Sequence, residues 1–363
     1  MTGPRGLAWS ITMLTLPERE PHLVRLLAGL RAAGADDATE VVVVYNAPAR
    51  ERRAAIVRRL KAAAPGVHLR VHFNEGRCTI AEGRNVQLAL CRAPLVCFVD
   101  DDLTLHGPVF ATLATALREH PVALVGLPSV QAADDSPFKP RADTPSVEHA
   151  GLRHMPVQGM LCASYGDLLR DVGGFSPLRE FWGEWTELNT RLWRLGFPTG
   201  YRMHGPHLRH WHDAPHSPTR HRADRARHIV WGLACTALEY DAVDQGPETD
   251  DFWTLIERRY LAYAYDAEVT PSDLFRTVLE LAPRLAAHWP TIRANRARAL
   301  GDPFSFRPFQ RLCVEDVLRA RRHAAAALAR YKARAFADPR VGHDQIIPGV
   351  ATQFDPFSTA VAS

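Results

Sequence analysis

The chain has 363 residues, 46% of them hydrophobic, which is enough to bury a sizeable core and excludes a disordered chain. Its 44 Lys plus Arg stand against 40 Asp plus Glu, a formal net charge of only +4, so no polyanionic partner is called for and nucleic-acid binding is not expected. The longest apolar stretch, residues 229–238, is well short of the ~20 residues of a membrane span, no leader pattern opens the chain, and six scattered cysteines without a CxxC pair read as free thiols, so a soluble cytoplasmic protein is expected.

From Trp9 onward short apolar runs alternate with helical patterns. "WSITML" reads as a strand, and "PHLVRLLAGLRAAG" puts Leu23, Leu26, Leu27 and Leu30 on one helical face before stopping at Gly34. "EVVVVY" is a second strand, buried on both faces, followed by the basic amphipathic helix "ARERRAAIVRRLKAAA". "VHLRVHF" alternates as a third strand, "TIAEGRNVQLALCRA" is helical, and "LVCFV" is a fourth strand. Such βα alternation predicts an α/β fold with a mostly parallel sheet and helices on both faces.

After "VFATLATALREH" and "VALVGLP" the regularity breaks, and residues 129–157, with several Pro and Asp, read as a loop or lid. A second block, 158–215, follows with "GMLCASYGDLLRDVGGF", the helix of "EWTELNTRLWRLGF", a strand near "PTGYRMH" and the cluster "HLRHWHDAPH". Residues 216–335 form a helical C-terminal region and 336–363 an extended tail. The Arg- and Ala-rich composition points to a GC-rich bacterial source.

The chemistry gathers at "LVCFVDDDLTLHG", where an apolar strand runs into Asp100, Asp101 and Asp102. In a parallel sheet, ligands bind outside the carboxyl ends of the strands. Carboxylates on a short turn there suit a hard cation such as Mg²⁺ or Mn²⁺, which completes its shell with substrate phosphates and water. The plain alternative is that the aspartates cap a helix or solvate a turn. The segment also matches the Asp-x-Asp-x-Thr pattern of phosphatases with Asp100 as nucleophile, but that pattern ends the first strand of its fold and three βα units precede it here.

In order, "ITMLTLPER", "VVVVYN", "FNEG" with "EGRNVQLAL", "VCFVDDD", "GGF" and "GEWTELNTRLWRLG" resemble the GT-A glycosyltransferases of family 2 across residues 8–215. The resemblance implies a GT-A, Rossmann-like domain over 1–215, with 1–128 as its nucleotide-binding half and 158–215 as its acceptor and catalytic half. It implies a hexosyltransferase-like enzyme that moves a sugar from a nucleoside-diphosphate sugar, a UDP-sugar by expectation, to an acceptor hydroxyl with inversion. Mn²⁺ or Mg²⁺ would be the cofactor. The acceptor, a small molecule or a carrier-bound metabolite, is not read from the sequence, and the C-terminal helices would shape the acceptor site or a homodimer interface.

Carried over residue by residue, the resemblance makes Asp102 a metal ligand and lets Asp100 contact the metal or the ribose, with Asp101 beside them. Thr15, Pro17, Glu18 and Asn46 would wall the nucleoside pocket, and Arg84 and Asn85 would lie near the diphosphate and base. Arg84 could instead pair with Glu82 or Glu75 on the surface. His210 stands where the family often has a metal-binding His; His212 could share that role, since a strand would point both to one face, and His207 and His204 are weaker candidates. The family's usual Glu-Asp pair reads here as Glu184 followed by Trp185, a departure that makes Glu184 the expected base and Glu187 the alternative. Trp182 and Trp185 would be a sugar or acceptor platform, or core. A non-catalytic nucleotide-sugar binder remains the other reading of Trp185, and "TLPERE" lacks the glycine-rich loop of a sugar nucleotidyltransferase.

Overall fold

The computed structural model describes residues 7–46, 48–76, 78–142, 144–211, 222–241, 249–262, 270–305, 309 and 312–337. β1 (Trp9–Thr15) leads through a 3-10 turn, Pro17–Arg19, into α1 (Glu20–Gly29). β2 (Thr39–Asn46) precedes α2 (Arg53–Ala63), β3 (His68–Asn74) precedes α3 (Ile80–Leu90), and β4 (Leu95–Val99) is followed by β5 (Leu103–His106) and α4 (Val109–Glu119). Every residue of β2 is buried, as its unbroken valine run requires, because β1 and β3 flank it in a sheet covered by helices. Thr79 starts α3 with a capping box, its hydroxyl accepting from the Glu82 amide while the Glu82 carboxylate accepts from the Thr79 amide.

Six more strands and two helices follow: β6 (Leu124–Gly126), β7 (Ser129–Gln131), β8 (Pro137–Lys139), β9 (Val147–His149), β10 (Leu152–His154), β11 (Leu161–Tyr165), α5 (Gly166–Asp171) and α6 (Glu184–Arg194). After them come β12 (Thr199–Tyr201) and β13 (His207–His210). The main sheet has nine described strands in the order β3-β2-β1-β4-β11-β6-β12-β10-β9, and a second sheet has the order β5-β13-β7-β8.

The main sheet is mixed rather than mostly parallel. Its β3-β2-β1-β4 half is parallel, but β11 enters antiparallel between β4 and β6, and β10 runs antiparallel to both β12 and β9. The chain reaches β11 from β6 through the short strands β7 to β10 rather than through the helical crossover that usually joins parallel neighbours. The same segment is not the irregular loop expected over 129–157. It carries β7 to β10, and strands of three residues are too short to display an alternating pattern.

The C-terminal part contains α7 (Arg222–Tyr240), α8 (Asp250–Ala262), α9 (Pro271–Ala287), α10 (Trp289–Leu300), α11 (Val314–Ala327) and α12 (Ala329–Phe336). α7 packs on α8, α9 and α10 around a core of its own that includes Ile229, Trp231, Phe252, Leu285 and Ile292. By contrast, α11 and α12 return to the sheet: Leu328 and Tyr331 join the main core, and Tyr331 donates its hydroxyl to Asp171 at 2.6 Å. Among the described residues no helix is long and apolar enough to cross a membrane, and all six cysteines are free.

Candidate functional site

Because β1, β2 and β4 run parallel, their carboxyl ends bring Thr15, Asn46 and Asp100 to one edge of the sheet. A cavity of about 280 Å³ opens there, lined by Leu14, Thr15, Leu16, Arg19, Asn46, Cys78, Ile80, Arg84, Asp100, Asp101, Asp102, Phe181, Glu184, Trp185 and His210. Residues from the first strand to the last thus converge on the aspartate turn.

The second sheet supplies His210. β13 runs antiparallel to β5, pairing His210 with Leu103, and the Trp211 amide donates to the Asp102 carbonyl at 3.0 Å. This register leaves His210 Nε2 3.4 Å from Asp102 Oδ2, with the His210 ring stacked on Phe138 at 4.6 Å between centroids. His207 sits at the far end of the same ladder, opposite His106, and His204 likewise lines a different surface; neither reaches the aspartates. His212 lies outside the described residues.

Two arginines supply the counter-charge. Arg84 donates from Nη2 to Asp100 Oδ1 at 2.9 Å and places Nε 3.5 Å from Glu184 Oε1, while its guanidinium lies 4.9 Å from the Trp185 ring centre. The alternative surface partner, Glu75, is instead held by Arg50 and Arg53. Arg19 Nη2 stands 2.7 Å from Asp101 Oδ1 and also donates to Asp102, and Thr15 donates its hydroxyl to Asp101 at 2.7 Å. Arg19 is a residue that sequence reasoning passed over; its only signal was its place directly after "TLPE", at the end of the first strand's turn.

These contacts split the carboxylates. Burial pushes Asp101 up to about 7 against the pull of Arg19. Burial would raise Asp102 as well, but His210 and Arg19 hold it down at about 2. Burial pushes Glu184 above the usual carboxylate range, with Arg84 opposing. Among the described residues no group of three His, Cys, Asp or Glu is assembled as a metal cage. Asp102 Oδ1 is nevertheless buried with no hydrogen-bond partner among the described residues, and four carboxylates line the cavity against two guanidinium groups. A cation that takes one or two protein ligands and the rest from phosphate and water fits that donor set.

The turn before α6 places Glu184. Gly183, at φ +85°, occupies the left-handed conformation that a glycine adopts without strain and sets Glu184 as the first residue of the helix. Trp185 turns inward, edge-on to Phe175 at 4.8 Å and to Phe98 at 5.6 Å, so it both lines the cavity and packs in the core. Glu187 does not reach the cavity. Arg191 donates to both its oxygens at 2.8 Å and Tyr240 of α7 adds a third bond at 2.6 Å, which makes it a buried cross-link between α6 and α7.

Other expected site residues serve the scaffold. Asn85 clasps the backbone N–H and carbonyl of Phe175, both at 2.8 Å, and does not line the cavity. Pro17 shapes the 3-10 turn and Glu18 is exposed, so this part of the cavity wall comes from Thr15, Leu16 and Arg19 around them. Trp182 packs against the core of α7 rather than on the cavity. Asn46 does line it, its side-chain oxygen accepting from Asn74 at 2.7 Å and from the Cys78 thiol at 2.9 Å. Cys78 and Phe181 are wall residues that no motif announced.

Residues 10–180 match the family Glycosyl transferase family 2. The chain is a glycosyltransferase with the GT-A fold, and its likeness to family 2 lies in residues 10–180. Among solved structures, GalNAc-T7 with UDP, GalNAc and Mn²⁺ is 12% identical at a TM-score of 0.53, over 86% of this chain and 57% of that one. The mannosyltransferase PcManGT from Pyrobaculum calidifontis, in complex with GDP-Man and Mn²⁺, is 19% identical at a TM-score of 0.46, over 89% and 87%. S. aureus TarS 1-349 in complex with UDP is 15% identical at 0.49, over 80% and 87%. A search of curated proteins finds no match.

In this glycosyltransferase the phosphatase-type pattern has another use. Thr104 of "VDDDLT" accepts from the Trp211 indole at 2.9 Å, tying β5 to the residue after β13, and Asp100 follows the fourth strand, not the first.

Proposed function

We propose that this glycosyltransferase transfers a sugar from a nucleoside-diphosphate sugar, with a UDP-sugar as the expected donor, to an acceptor hydroxyl with inversion at the anomeric carbon, using Mn²⁺ or Mg²⁺. The observation that carries the proposal is the convergence of Asp100, Asp102, Arg19, Arg84, His210 and Glu184 on one cavity at the carboxyl edge of the sheet. Asp102, with its unpartnered Oδ1, and His210 would hold the cation; Asp100 contributes on the same turn. When bound, the cation supplies positive charge to the diphosphate leaving group.

The protein's own groups account for the rest. Arg84, and Arg19 at the other flank, lie where guanidinium N–H donors can receive diphosphate oxygens, stabilising the charge that grows as the anomeric C–O bond breaks and its electron pair passes to the leaving phosphate oxygen. Thr15, Asn46 and Cys78 wall the nucleoside end. Glu184, its basicity raised by burial, takes the acceptor hydroxyl proton as that oxygen attacks from the opposite face. Trp185 bounds the sugar side with its ring against Arg84.

A thermal-shift panel of UDP, GDP, TDP and CMP, each with and without Mn²⁺, tests the reading, followed by donor hydrolysis with the matching nucleotide-sugars. UDP with Mn²⁺ is expected to raise the melting temperature more than either alone. The absence of a metal-dependent shift with every nucleotide overturns the proposal.

A further inference from the structure

Arg19 meets its two acidic partners through a single nitrogen. Nη2 lies 2.7 Å from Asp101 Oδ1 and donates to Asp102 Oδ2 as well, so one N–H corner of the guanidinium stands between two carboxylates. The rest of the contact is poorly satisfied. Arg19 Nε and Asp102 Oδ1 are both buried with no hydrogen-bond partner among the described residues. A buried donor and a buried acceptor that each lack a partner keep an uncompensated desolvation cost, so an arrangement that leaves both is not the best state available to either. A fork-shaped guanidinium that holds a carboxylate frequently engages it bidentately; the contacts of Arg19 with Asp101 and Asp102 run through Nη2.

The backbone beneath Arg19 is anchored independently. Glu20, the next residue, accepts from the Tyr45 hydroxyl at 2.8 Å and from Arg59. The Arg19 side chain can therefore change partners without loss of the turn that carries it.

We propose that Arg19 is a displaceable counter-ion: through Nη2 it offsets part of the charge of the Asp101 and Asp102 pair, and it gives up that place when the divalent cation arrives with the nucleotide, turning its freed N–H groups to the diphosphate. The inference rests on the metal-dependent reading above. Its consequence is an order of binding. A cation alone must compete with a resident positive charge 2.7 Å from Asp101, whereas a cation that comes with a diphosphate offers Arg19 an anionic partner in exchange. The aspartate turn is thereby kept partly charge-compensated and guarded against free cations until the donor is present.

The test is direct Mn²⁺ binding, read by electron paramagnetic resonance of free aqueous Mn²⁺, for the wild type, Arg19→Gln, and the double variant Arg19→Gln with Asp102→Asn, each with and without UDP. Arg19→Gln is expected to bind Mn²⁺ alone at least tenfold more tightly than the wild type, the gap is expected to close when UDP is added, and Asp102→Asn is expected to abolish the gain. Circular dichroism checks that each variant is folded, and Arg19→Met serves if Arg19→Gln is not. Equal or weaker Mn²⁺ binding by the folded Arg19 variant, while the wild type binds Mn²⁺ with UDP, overturns the inference and leaves the metal-dependent reading standing. Failure of every protein to bind Mn²⁺ even with UDP overturns both.

Discussion

Glu184 Oε1 lies 3.5 Å from Arg84 Nε, and through that same guanidinium the proposed base is joined to Asp100 on the aspartate turn. The pair couples the two ends of the reaction: a residue suited to the leaving group restrains the residue suited to the acceptor. Glu184→Gln keeps the size and most of the hydrogen bonding, so the melting temperature should barely change. Turnover should fall on the order of 10²–10⁴-fold, the range of a general base. Donor hydrolysis at saturating donor checks it, and a variant with near wild-type kcat rules Glu184 out as the base.

Glu187, three residues further along the same helix, should give the opposite result. Its removal in Glu187→Ala leaves Arg191 and the Tyr240 hydroxyl without their acceptor in a buried setting, a loss of about 3–5 kcal/mol by analogy with broken buried pairs. Urea unfolding followed by tryptophan fluorescence measures the loss. Unchanged stability would show that the α6 to α7 cross-link is dispensable.

Asp102→Asn and His210→Ala should act on the cation rather than on the fold. Each is expected to reduce the part of the UDP thermal shift that depends on Mn²⁺, with Asp102→Asn the larger effect, and to leave the metal-independent part in place. Retention of the full Mn²⁺-dependent shift in Asp102→Asn would move the cation elsewhere.

The acid side of the stability curve should carry the signature of His154. It is fully buried at the end of β10, and burial first, with the nearby Arg321 adding to it, holds its pKa down to about 3. The group is therefore neutral in the fold at pH values where the unfolded chain, with an ordinary histidine pKa of about 6.5, is protonated. The unfolded state binds more protons between those values, so this contribution is intact above pH 6.5 and is lost progressively as pH falls toward 3. His154→Gln should flatten the fall in stability between pH 6.5 and 4.5 relative to the wild type. Urea midpoints across that range decide it, and parallel curves for the two proteins would contradict the assignment.

Much of the parallel half of the main sheet was legible in the chain. The valine run of β2 and the apolar "LVCFV" of β4 announce strands buried on both faces, and the helices between them carry their apolar faces at helical spacing. Where the chain must make a strand of three residues, as in β7 to β10, periodicity has no room to appear, and a Pro- and Asp-containing segment looks like a loop. Antiparallel entry of β11 was hidden for a related reason: strand direction is set by the connection in space, not by the residues of the strand.

At the site, the sequence by itself determined which chemistry was available: three carboxylates at a strand end, an Arg in the preceding helix, a Glu after a glycine turn and a His near the end of the block. Only the tertiary structure decided which of them meet. Glu184 and Glu187 share a helix and a chemistry, yet one turn of rise sends the first to the cavity and the second to Tyr240, 53 residues away along the chain. Arg19 and Asp102 lie 83 residues apart, and nothing in either segment names the other. Charge pairing depends on distances of a few ångströms, which the parallel order of β1 and β4 creates and a linear pattern cannot express.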